Sequence, residues 1–132
     1  MKADDWVIVR MSKGASGGRI ALVRAVREAE ADVLIYRRKP ERMEAQTIDR
    51  RCIKGAAPRC ERLRCAQEIV EIGNLRKRRL AIGVTQKELA KIIGINEQTL
   101  RSAELGRRRT HRNNRKWILE GMIKAEAMKR TA

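Results

Sequence analysis

Aromatic residues are almost missing from this chain of 132 residues, which contains Trp6, Tyr36 and Trp117 and no phenylalanine. Any hydrophobic core must therefore be built mainly from aliphatic side chains, and apolar residues still make up 42% of the chain. Ligand pockets are usually lined by aromatic side chains. Their scarcity argues against a large small-molecule pocket, and we expect no cofactor.

Long apolar runs are missing as well. No run approaches the roughly 18 residues that a membrane-spanning helix needs. The first residues, "MKADDWVIVR", carry two acids and too short an apolar stretch for a secretory signal. We therefore expect a soluble, cytoplasmic protein.

Cysteine and histidine are few. Cys52, Cys60 and Cys65 are an odd number, which argues against a disulfide framework in an intracellular chain. Their spacing matches no common zinc-binding pair, and His111 is the single histidine. No serine, cysteine or acid is placed to partner His111, and neither paired carboxylates nor a phosphate loop occurs. We expect no metal site and no enzyme activity.

Acidic residues are outnumbered: 16 Asp and Glu face 32 Lys and Arg, which gives a net charge of +16. Such an excess implies a polyanionic partner, with nucleic acid favoured over a membrane surface or an acidic protein. Residues 1–58 carry 13 basic and 8 acidic residues, whereas residues 59–132 carry 19 and 8. Gly55 and Pro58 interrupt regular structure at this change of composition, so we place the boundary between two domains there.

The first domain, residues 1–58, is predicted to be rich in strands. The β-branched or alternating segments 6–11, 32–38 and 45–53 have strand character, whereas 19–26 is ambiguous between helix and strand. Such short segments favour a small antiparallel sheet or an SH3-like barrel. Its role is unknown, and an effector pocket, a dimer surface and a contact with RNA polymerase or another protein all remain open.

The second domain, residues 59–132, is predicted to be helical, with four to five helices, so that the fold class is α+β. Apolar residues at roughly helical spacing precede the centre of this domain at Leu63, Ile69, Ile72 and Leu80, with Gly73 as a break. The last segment, "NRKWILEGMIKAEAMK", is expected to place four residues on one face, namely Trp117, Ile118, Met122 and Ile123.

Two short amphipathic runs lie between Thr85 and Gly106. Thr85 followed by Glu88 is a capping-box pattern that begins one helix, and Gly94 is placed to end it in a left-handed conformation. Asn96 is a cap for the next helix, which Gly106 ends.

The two runs also have apolar sides. Leu89, Ile92 and Ile93 form an apolar stripe in the first run, and Leu100 and Ala103 face inward in the second. Small Ala90 allows a close crossing. Two helices of about eight and ten residues, joined by about four, have the geometry of a helix-turn-helix.

The segment "LRKRRLAIGVTQKELAKIIGINEQTLRSAELGRR" resembles the Cro and phage-repressor type of helix-turn-helix regulator. The resemblance extends over roughly residues 69–123 and does not include the first domain. Two departures are noted. Arg78 occupies a position that is usually apolar, which puts the register of that helix in doubt. Ala103 occupies a position where a larger apolar residue is common.

The resemblance implies roles for individual residues. Gln86 would bind a DNA phosphate and brace the second helix, Asn96 would cap that helix and contact phosphate, and Thr99 would contact phosphate as well. Four residues would face base edges: Glu97, Gln98, Arg101 and Ser102. Their chemistry is suitable, because Gln can pair with adenine, Arg with guanine and Glu with cytosine. Glu104 would be structural.

Basic residues flank the motif on both sides. The stretch "GRRRTHRNNRK", residues 106–116, contains six basic residues and no acid, and residues 76–79 form a second cluster. Phosphate neutralisation requires cations at such a flank. We expect phosphate contacts from Arg107, Arg108, Arg109 and Arg112.

Together these features predict a sequence-specific transcription regulator, repressor-like and nucleoid-associated, from a prokaryote or a phage, that binds double-stranded DNA. A homodimer is expected because one short helix reads only a few base pairs, with its dimer surface on the sheet of the first domain or on the last helix. Two alternatives stay open. One is an RNA- or ribosome-associated basic protein, and the other is a DNA-targeting accessory subunit of a DNA-processing complex.

Overall fold

The computed structural model describes residues 1–10, 18–38, 41–106 and 112–130. The chain forms two compact units, residues 1–66 and 67–132, and each contains its own hydrophobic cluster. The division falls inside a helix. The domain boundary expected at residue 58 stays a prediction.

The first unit contains a five-stranded sheet in the order β4-β3-β2-β1-β5, and every neighbouring pair is antiparallel. The strands are β1 (Trp6–Val9), β2 (Arg19–Val26), β3 (Glu30–Arg38), β4 (Glu41–Asp49) and β5 (Ile53–Ala56). The predicted β-rich module is therefore confirmed. Strands β4 and β5 are the two edges, so strand pairing within the described residues does not close the sheet into a barrel.

One face of the sheet supplies the hydrophobic cluster of this unit. Because side chains alternate across a strand, residues that lie opposite each other share a face: Val7 faces Ala21, and Val23 faces Val33. The cluster consists of Val7, Val9, Ala21, Val23, Ala31, Val33, Ile35 and Ile48. Residues 19–26, ambiguous in sequence, form a strand that is buried on both faces, since Ile20 and Leu22 are buried as well.

Two sequence expectations in this unit are wrong in their bounds. The strand expected at residues 45–53 begins earlier, at Glu41, and ends at Asp49, because the Asp49 carboxylate accepts a hydrogen bond of 2.8 Å from the Arg51 amide and caps a short 3₁₀ turn, Arg50–Cys52. The interruption of regular structure expected near residues 54–59 begins only after residue 56. Residues 53–56 form β5 because the edge of β1 offers them backbone partners.

A charged network stabilises the hairpin between β2 and β3. The Arg27 guanidinium donates two hydrogen bonds of 2.8 Å to the Asp32 carboxylate, and the Thr47 hydroxyl donates a third of 2.7 Å. These bonds hold the pKa of Asp32 well below its usual range, first through Arg27 and then through Thr47. The network neutralises part of the positive charge of this unit.

In the described part of the chain, five helices follow the sheet, which confirms the α+β class. They are α1 (Glu61–Gly73), α2 (Leu75–Ala81), α3 (Gln86–Ile93), α4 (Glu97–Leu105) and α5 (Arg112–Arg130). The second unit buries one cluster contributed by all five, consisting of Ile72, Leu75, Val84, Leu89, Ala90, Leu100, Ala103, Ile118, Leu119, Met122 and Ala125. This cluster contains no aromatic side chain, which agrees with the aliphatic core expected from the composition.

Three expected inward residues point outward. Leu80 is 58% exposed, because α1 ends at Gly73 and a new helix begins at Leu75 with its own phase. Trp117 and Ile123 are each 61% exposed, although Ile118 and Met122 are buried as predicted. The buried face of α5 is instead completed by Leu119 and Ala125. At about 100° per residue, Trp117 and Ile123 lie on the two sides of this face, so the expected apolar face was too wide.

Arg78 departs from the usual apolar pattern without disturbing the register of its helix. Helix α2 turns Leu75 and Arg79 inward, whereas Arg78 is half-buried and donates two hydrogen bonds to the Glu126 carboxylate of α5. These bonds lower the pKa of Glu126. The Arg78–Glu126 pair therefore links α2 to α5 at the position where an apolar contact was expected.

Candidate nucleic-acid interface

Helices α3 and α4 are joined by a three-residue turn, residues 94–96, and each end is fixed by the predicted residue. The Thr85 hydroxyl accepts a hydrogen bond of 3.1 Å from the Glu88 amide, and the Asn96 side chain accepts one of 2.7 Å from the Gln98 amide. Gly94 and Gly106 adopt φ of 88° and 67°, a left-handed conformation that glycine reaches without a steric cost. The sequence therefore dictates where both helices begin and end.

Packing holds the two helices against the rest of the second unit. Leu89 and Ala90 of α3 and Leu100 and Ala103 of α4 are at most 5% exposed. The small residue at 103 lies within the cluster together with Leu89 and Ile118. As predicted, one side of each helix is buried, which leaves the opposite side of α4 facing solvent.

A buried ion pair fixes the inward side of α4. The Arg79 guanidinium of α2 donates to the Glu104 carboxylate, with Nε 3.0 Å from Oε1, and also donates to the Val84 carbonyl at 3.0 Å. The Gln86 amide of α3 donates to the second Glu104 oxygen at 3.1 Å. The Glu104 side chain is only 1% exposed. One carboxylate thus connects three helices, and a buried charge with these partners is well compensated.

The exposed side of α4 carries the four residues that the resemblance assigned to base reading. With about 100° per residue, positions 97, 98, 101 and 102 fall within an arc of about 140°. Gln98 and Arg101 are exposed, whereas Glu97 and Ser102 are half-buried at the two margins of this arc. The helix therefore brings all four to one surface, which we call the α4 face.

Arg101 lies at the centre of a hydrogen-bond network on the α4 face. Its guanidinium donates to Glu97 Oε1 at 3.2 Å, to Gln98 Oε1 at 3.5 Å and to Gln86 Oε1 at 3.4 Å. Gln86 in turn donates to Glu104. A continuous chain of hydrogen bonds therefore runs from the buried ion pair to the α4 face, and it orients the Arg101 side chain.

The predicted phosphate contacts are distributed unevenly. Half-buried Gln86 has both amide atoms engaged, and exposed Asn96 uses its oxygen as the cap of α4, which leaves its amide hydrogens for an outside acceptor. Thr99 is exposed but lies away from the arc of the α4 face. Arg107, Arg108 and Arg109, like His111, lie outside the described residues, and Arg112 is the first residue of α5.

One cation of the expected basic flank is placed inside the unit. Arg115 is 2% exposed, and its Nε lies 3.8 Å from Glu68 Oε1 of α1. Its position in α5 coincides with the buried face of that helix, next to Ile118 and Leu119 by helical spacing. The count of six basic residues in 106–116 therefore overstates the charge that this segment can present to a ligand.

A cleft of about 560 Å³ lies between α2, α3 and α4 and includes part of the α4 face. It is lined by Arg76, Arg79, Thr85, Gln86, Lys87, Glu97, Arg101, Glu104 and Leu105. Sequence reasoning did not single out Lys87 or Leu105. Lys87 is separated from Arg101 in sequence, and only the fold brings both to the same cleft. Leu105, 51% exposed, could have been found by its spacing of eight from Glu97.

Sites of other kinds are not indicated. In the described part of the chain, no group of three or more His, Cys, Asp or Glu side chains could hold a metal ion. Cys60 is exposed, Cys52 is half-buried and Cys65 is buried, and all three are free thiols. Among the same residues, no helix is both long and apolar enough to cross a membrane.

Comparison with known proteins supports the helical motif. A family model described as Helix-turn-helix matches residues 75–111, which include α2, α3 and α4. The resemblance to Cro-type regulators is therefore confirmed for this segment, and it supports a DNA-binding regulator in general terms. No curated protein and no solved structure is significantly similar to the chain.

Proposed function

We propose that the protein is a sequence-specific transcription regulator of the phage-repressor type that inserts α4 into the major groove of double-stranded DNA. One observation carries this proposal: four polar side chains that can pair with bases lie on the solvent side of a helix whose other side is fixed in a core. Such a helix presents its N-terminal residues to base edges in this class of motif.

The hydrogen-bond network of Arg101 gives the proposal a mechanism. In the free protein the guanidinium is held by Glu97, Gln98 and Gln86. On the duplex, Arg101 would donate to guanine O6 and N7, Gln98 would pair with adenine, and Glu97 would accept from cytosine N4. Because these groups are already held at one surface, less side-chain entropy is lost when DNA binds.

Phosphate contacts would hold the protein on the duplex without reading its sequence. Asn96 precedes α4, and Thr99 is an exposed residue of α4 outside the α4 face. Lys87 lines the adjoining cleft, and Arg107–Arg109 and Arg112 follow α4 in sequence. We propose that these residues supply the salt-dependent part of the affinity, and that Gln86 contributes both a phosphate contact and the brace for Arg101.

The sheet of the first unit offers little support for the alternative of RNA binding, because its aromatic rings are not well exposed. RNA-binding modules stack unpaired bases on exposed aromatic rings. Tyr36 is 5% exposed and donates a hydrogen bond of 2.6 Å to Glu41, and Trp6 is half-buried. We therefore favour duplex DNA as the ligand. For the first unit we propose a protein contact, with RNA polymerase or another component of transcription.

Selection of bound sequences from a random duplex pool tests the proposed function. We expect a consensus with two-fold symmetry, because two copies of α4 would read two half-sites. Enrichment of no sequence, or equal binding of bulk RNA at the same salt concentration, would contradict the proposal.

Gln98→Ala tests the assignment of the α4 face. We expect affinity for the selected site to fall by about 1–3 kcal/mol and the preference at one base position to be lost. The measurement is a binding titration with duplexes that vary one position at a time. Lys91→Ala, on an exposed position of α3 outside the cleft lining, is the control. An equal loss for every duplex would show that Gln98 contacts phosphate and that the reading register differs.

A further inference from the structure

The two ends of the five-stranded sheet differ in how their arginines are paired. Three arginines at the end near the β2–β3 hairpin each lie beside an acid: Arg24 with Asp4, Arg27 with Asp32 and Arg51 with Asp49, at N···O distances of 3.9, 2.8 and 3.0 Å. The opposite end gathers arginines from four adjacent strands, β1 to β4, or from the residue that follows one of them. These are Arg10, Arg19, Arg37, Arg38 and Arg42, which we call the arginine end.

The arginine end keeps most of its positive charge. In the described ranges, no ion pair engages Arg10, Arg19 or Arg38, and all three are exposed. Arg37 and Arg42 share a single carboxylate, because Glu44 Oε2 lies 3.5 Å from the Nε of Arg37 and 3.1 Å from a terminal nitrogen of Arg42. The acids of this end therefore leave an excess of cations facing solvent.

The register of the sheet places like charges side by side. Arg37 lies directly opposite Arg42 in the β3–β4 pairing, and like charges in that relation repel. Arg19 is on the same face as Arg37, since each lies two residues from a member of the Ala21–Ile35 pair. The Nε of Arg37 is buried and has no hydrogen-bond partner in the described part of the chain. A bound anion would relieve this repulsion.

We propose that the arginine end binds the sugar–phosphate backbone of double-stranded DNA, as a second contact besides the α4 face. The inference rests on the proposed function, which brings a duplex to the same chain. Four adjacent strands extend over about 14 Å, which is roughly the rise of four successive phosphates on one DNA strand. Guanidinium groups also suit phosphate oxygens, to which they donate in pairs.

The surroundings of the arginine end favour a phosphate backbone over a folded protein. Protein interfaces usually have an apolar or aromatic centre, and no large hydrophobic side chain at this end is among the exposed ones of the described residues. Tyr36, on β3, is 5% exposed. The protein contact proposed for the first unit would use another part of its surface.

The arginine end adds affinity without adding sequence preference, because phosphates carry no sequence information. Once α4 holds a duplex, the first unit is tethered to it by the same chain. The effective concentration of phosphate around the arginine end is then high, so that even weak contacts contribute to the total affinity. The first unit therefore lengthens the time that the chain stays on DNA.

Salt titration of the full chain tests the contact. The triple variant Arg10→Gln/Arg19→Gln/Arg38→Gln should bind both a selected duplex and a scrambled duplex of equal length more weakly than the wild type. The slope of log affinity against log salt should flatten by about 0.9 for each lost phosphate contact, or about 2.7 for three. The ratio of the two affinities should stay unchanged, since only backbone contacts are removed.

The matched control removes three arginines from the other end of the same sheet. Arg24→Gln/Arg27→Gln/Arg51→Gln lowers the net charge equally but leaves the arginine end intact, so its slope should stay near that of the wild type. Thermal unfolding checks that each variant folds. If a triple variant does not fold, Arg19→Gln and Arg38→Gln are measured singly, with an expected flattening of about 0.9 each. Equal slopes for the arginine-end variants and the control would overturn the proposal.

An acidic protein segment is the other ligand that such a cluster could take, and polyglutamate is the probe for it. If the arginine-end variant keeps the wild-type slope on DNA and loses affinity only for polyglutamate, the proposal is wrong. The outcome is also separable from that of the proposed function. A chain with a flattened slope but no preferred duplex would contradict the proposed function alone, and a sequence-selective chain with an unchanged slope would contradict this contact alone.

Discussion

At the scale of single residues, Glu104 decides how the α4 face is held. Its carboxylate accepts hydrogen bonds from Arg79 of α2 and from Gln86 of α3, while its backbone belongs to α4. The side chain is almost fully removed from water. Burying two charges is costly, and their mutual attraction offsets that cost only while both partners are present. Removing one partner is therefore expected to lower the free energy of unfolding by more than the intact pair contributes to it.

We predict that Glu104→Leu destabilises the protein by about 3–5 kcal/mol, because the Arg79 charge stays buried without its partner. The double variant Arg79→Met/Glu104→Leu should cost clearly less, since it removes both charges. Urea unfolding of the three proteins measures the difference. If the single and double variants are equally unstable, the loss comes from packing and the ion pair is not the cause.

At the scale of elements, the crossing of α3 and α5 depends on a glycine that carries no sequence signal. A Cβ atom built on Gly121 would lie 2.2 Å from Ile93 Cγ1 and 3.1 Å from the Ile93 Cα atom. Real carbon atoms do not approach so closely, and a backbone neighbour cannot rotate away. Gly121 therefore sets how near α5 approaches the helix-turn-helix, although glycine inside a helix is otherwise unfavourable.

We predict that Gly121→Ala destabilises the second unit by about 1–3 kcal/mol through overpacking. Helix propensity alone predicts the opposite sign, a gain of about 1 kcal/mol. Gly73→Ala is the matched control, since Gly73 also lies in a helix and a Cβ there meets nothing within 4 Å. Thermal unfolding decides: a melting temperature of Gly121→Ala at or above that of the wild type would rule out the close crossing.

At the scale of the whole molecule, positive charge is distributed unevenly over a chain with a net charge of +16. Several arginines of the first unit are paired with acids, for example Arg27 with Asp32 and Arg51 with Asp49. The second unit holds most of the excess, and two of its arginines, Arg79 and Arg115, are buried. The remaining exposed cations would attract a polyanion from a distance, and added salt would weaken that attraction.

We predict that replacing Arg107, Arg108 and Arg109 by Ala weakens binding to all duplexes with little change in sequence preference. Each phosphate contact that is lost should flatten the slope of log affinity against log salt by about 0.9. Titrations of the triple variant and the wild type over a range of salt concentrations measure this slope. Slopes that coincide would mean that this segment does not contact DNA.

The sequence by itself determined the local features of this protein. Capping residues and glycines act through their own backbone and near neighbours, so Thr85, Gly94, Asn96 and Gly106 marked α3 and α4 correctly, and helical spacing alone brought the base-reading candidates to one face. Composition likewise predicted an aliphatic core and a polyanionic partner. Edge pairing of β5, by contrast, depends on a strand more than forty residues away, and it was missed.

Only the tertiary structure decided the rest, because contacts between distant segments depend on the relative phase of helices that are not continuous. Because a new helix begins at Leu75, Leu80 points outward and Arg79 points inward. There Arg79 contacts Glu104 of α4, which lies 25 residues later in the chain. The phase of α5 buried Arg115 and exposed Trp117, although both lie in the same basic and apolar segment. A periodic pattern shows that a helix has two sides, but the neighbouring elements determine which side is buried.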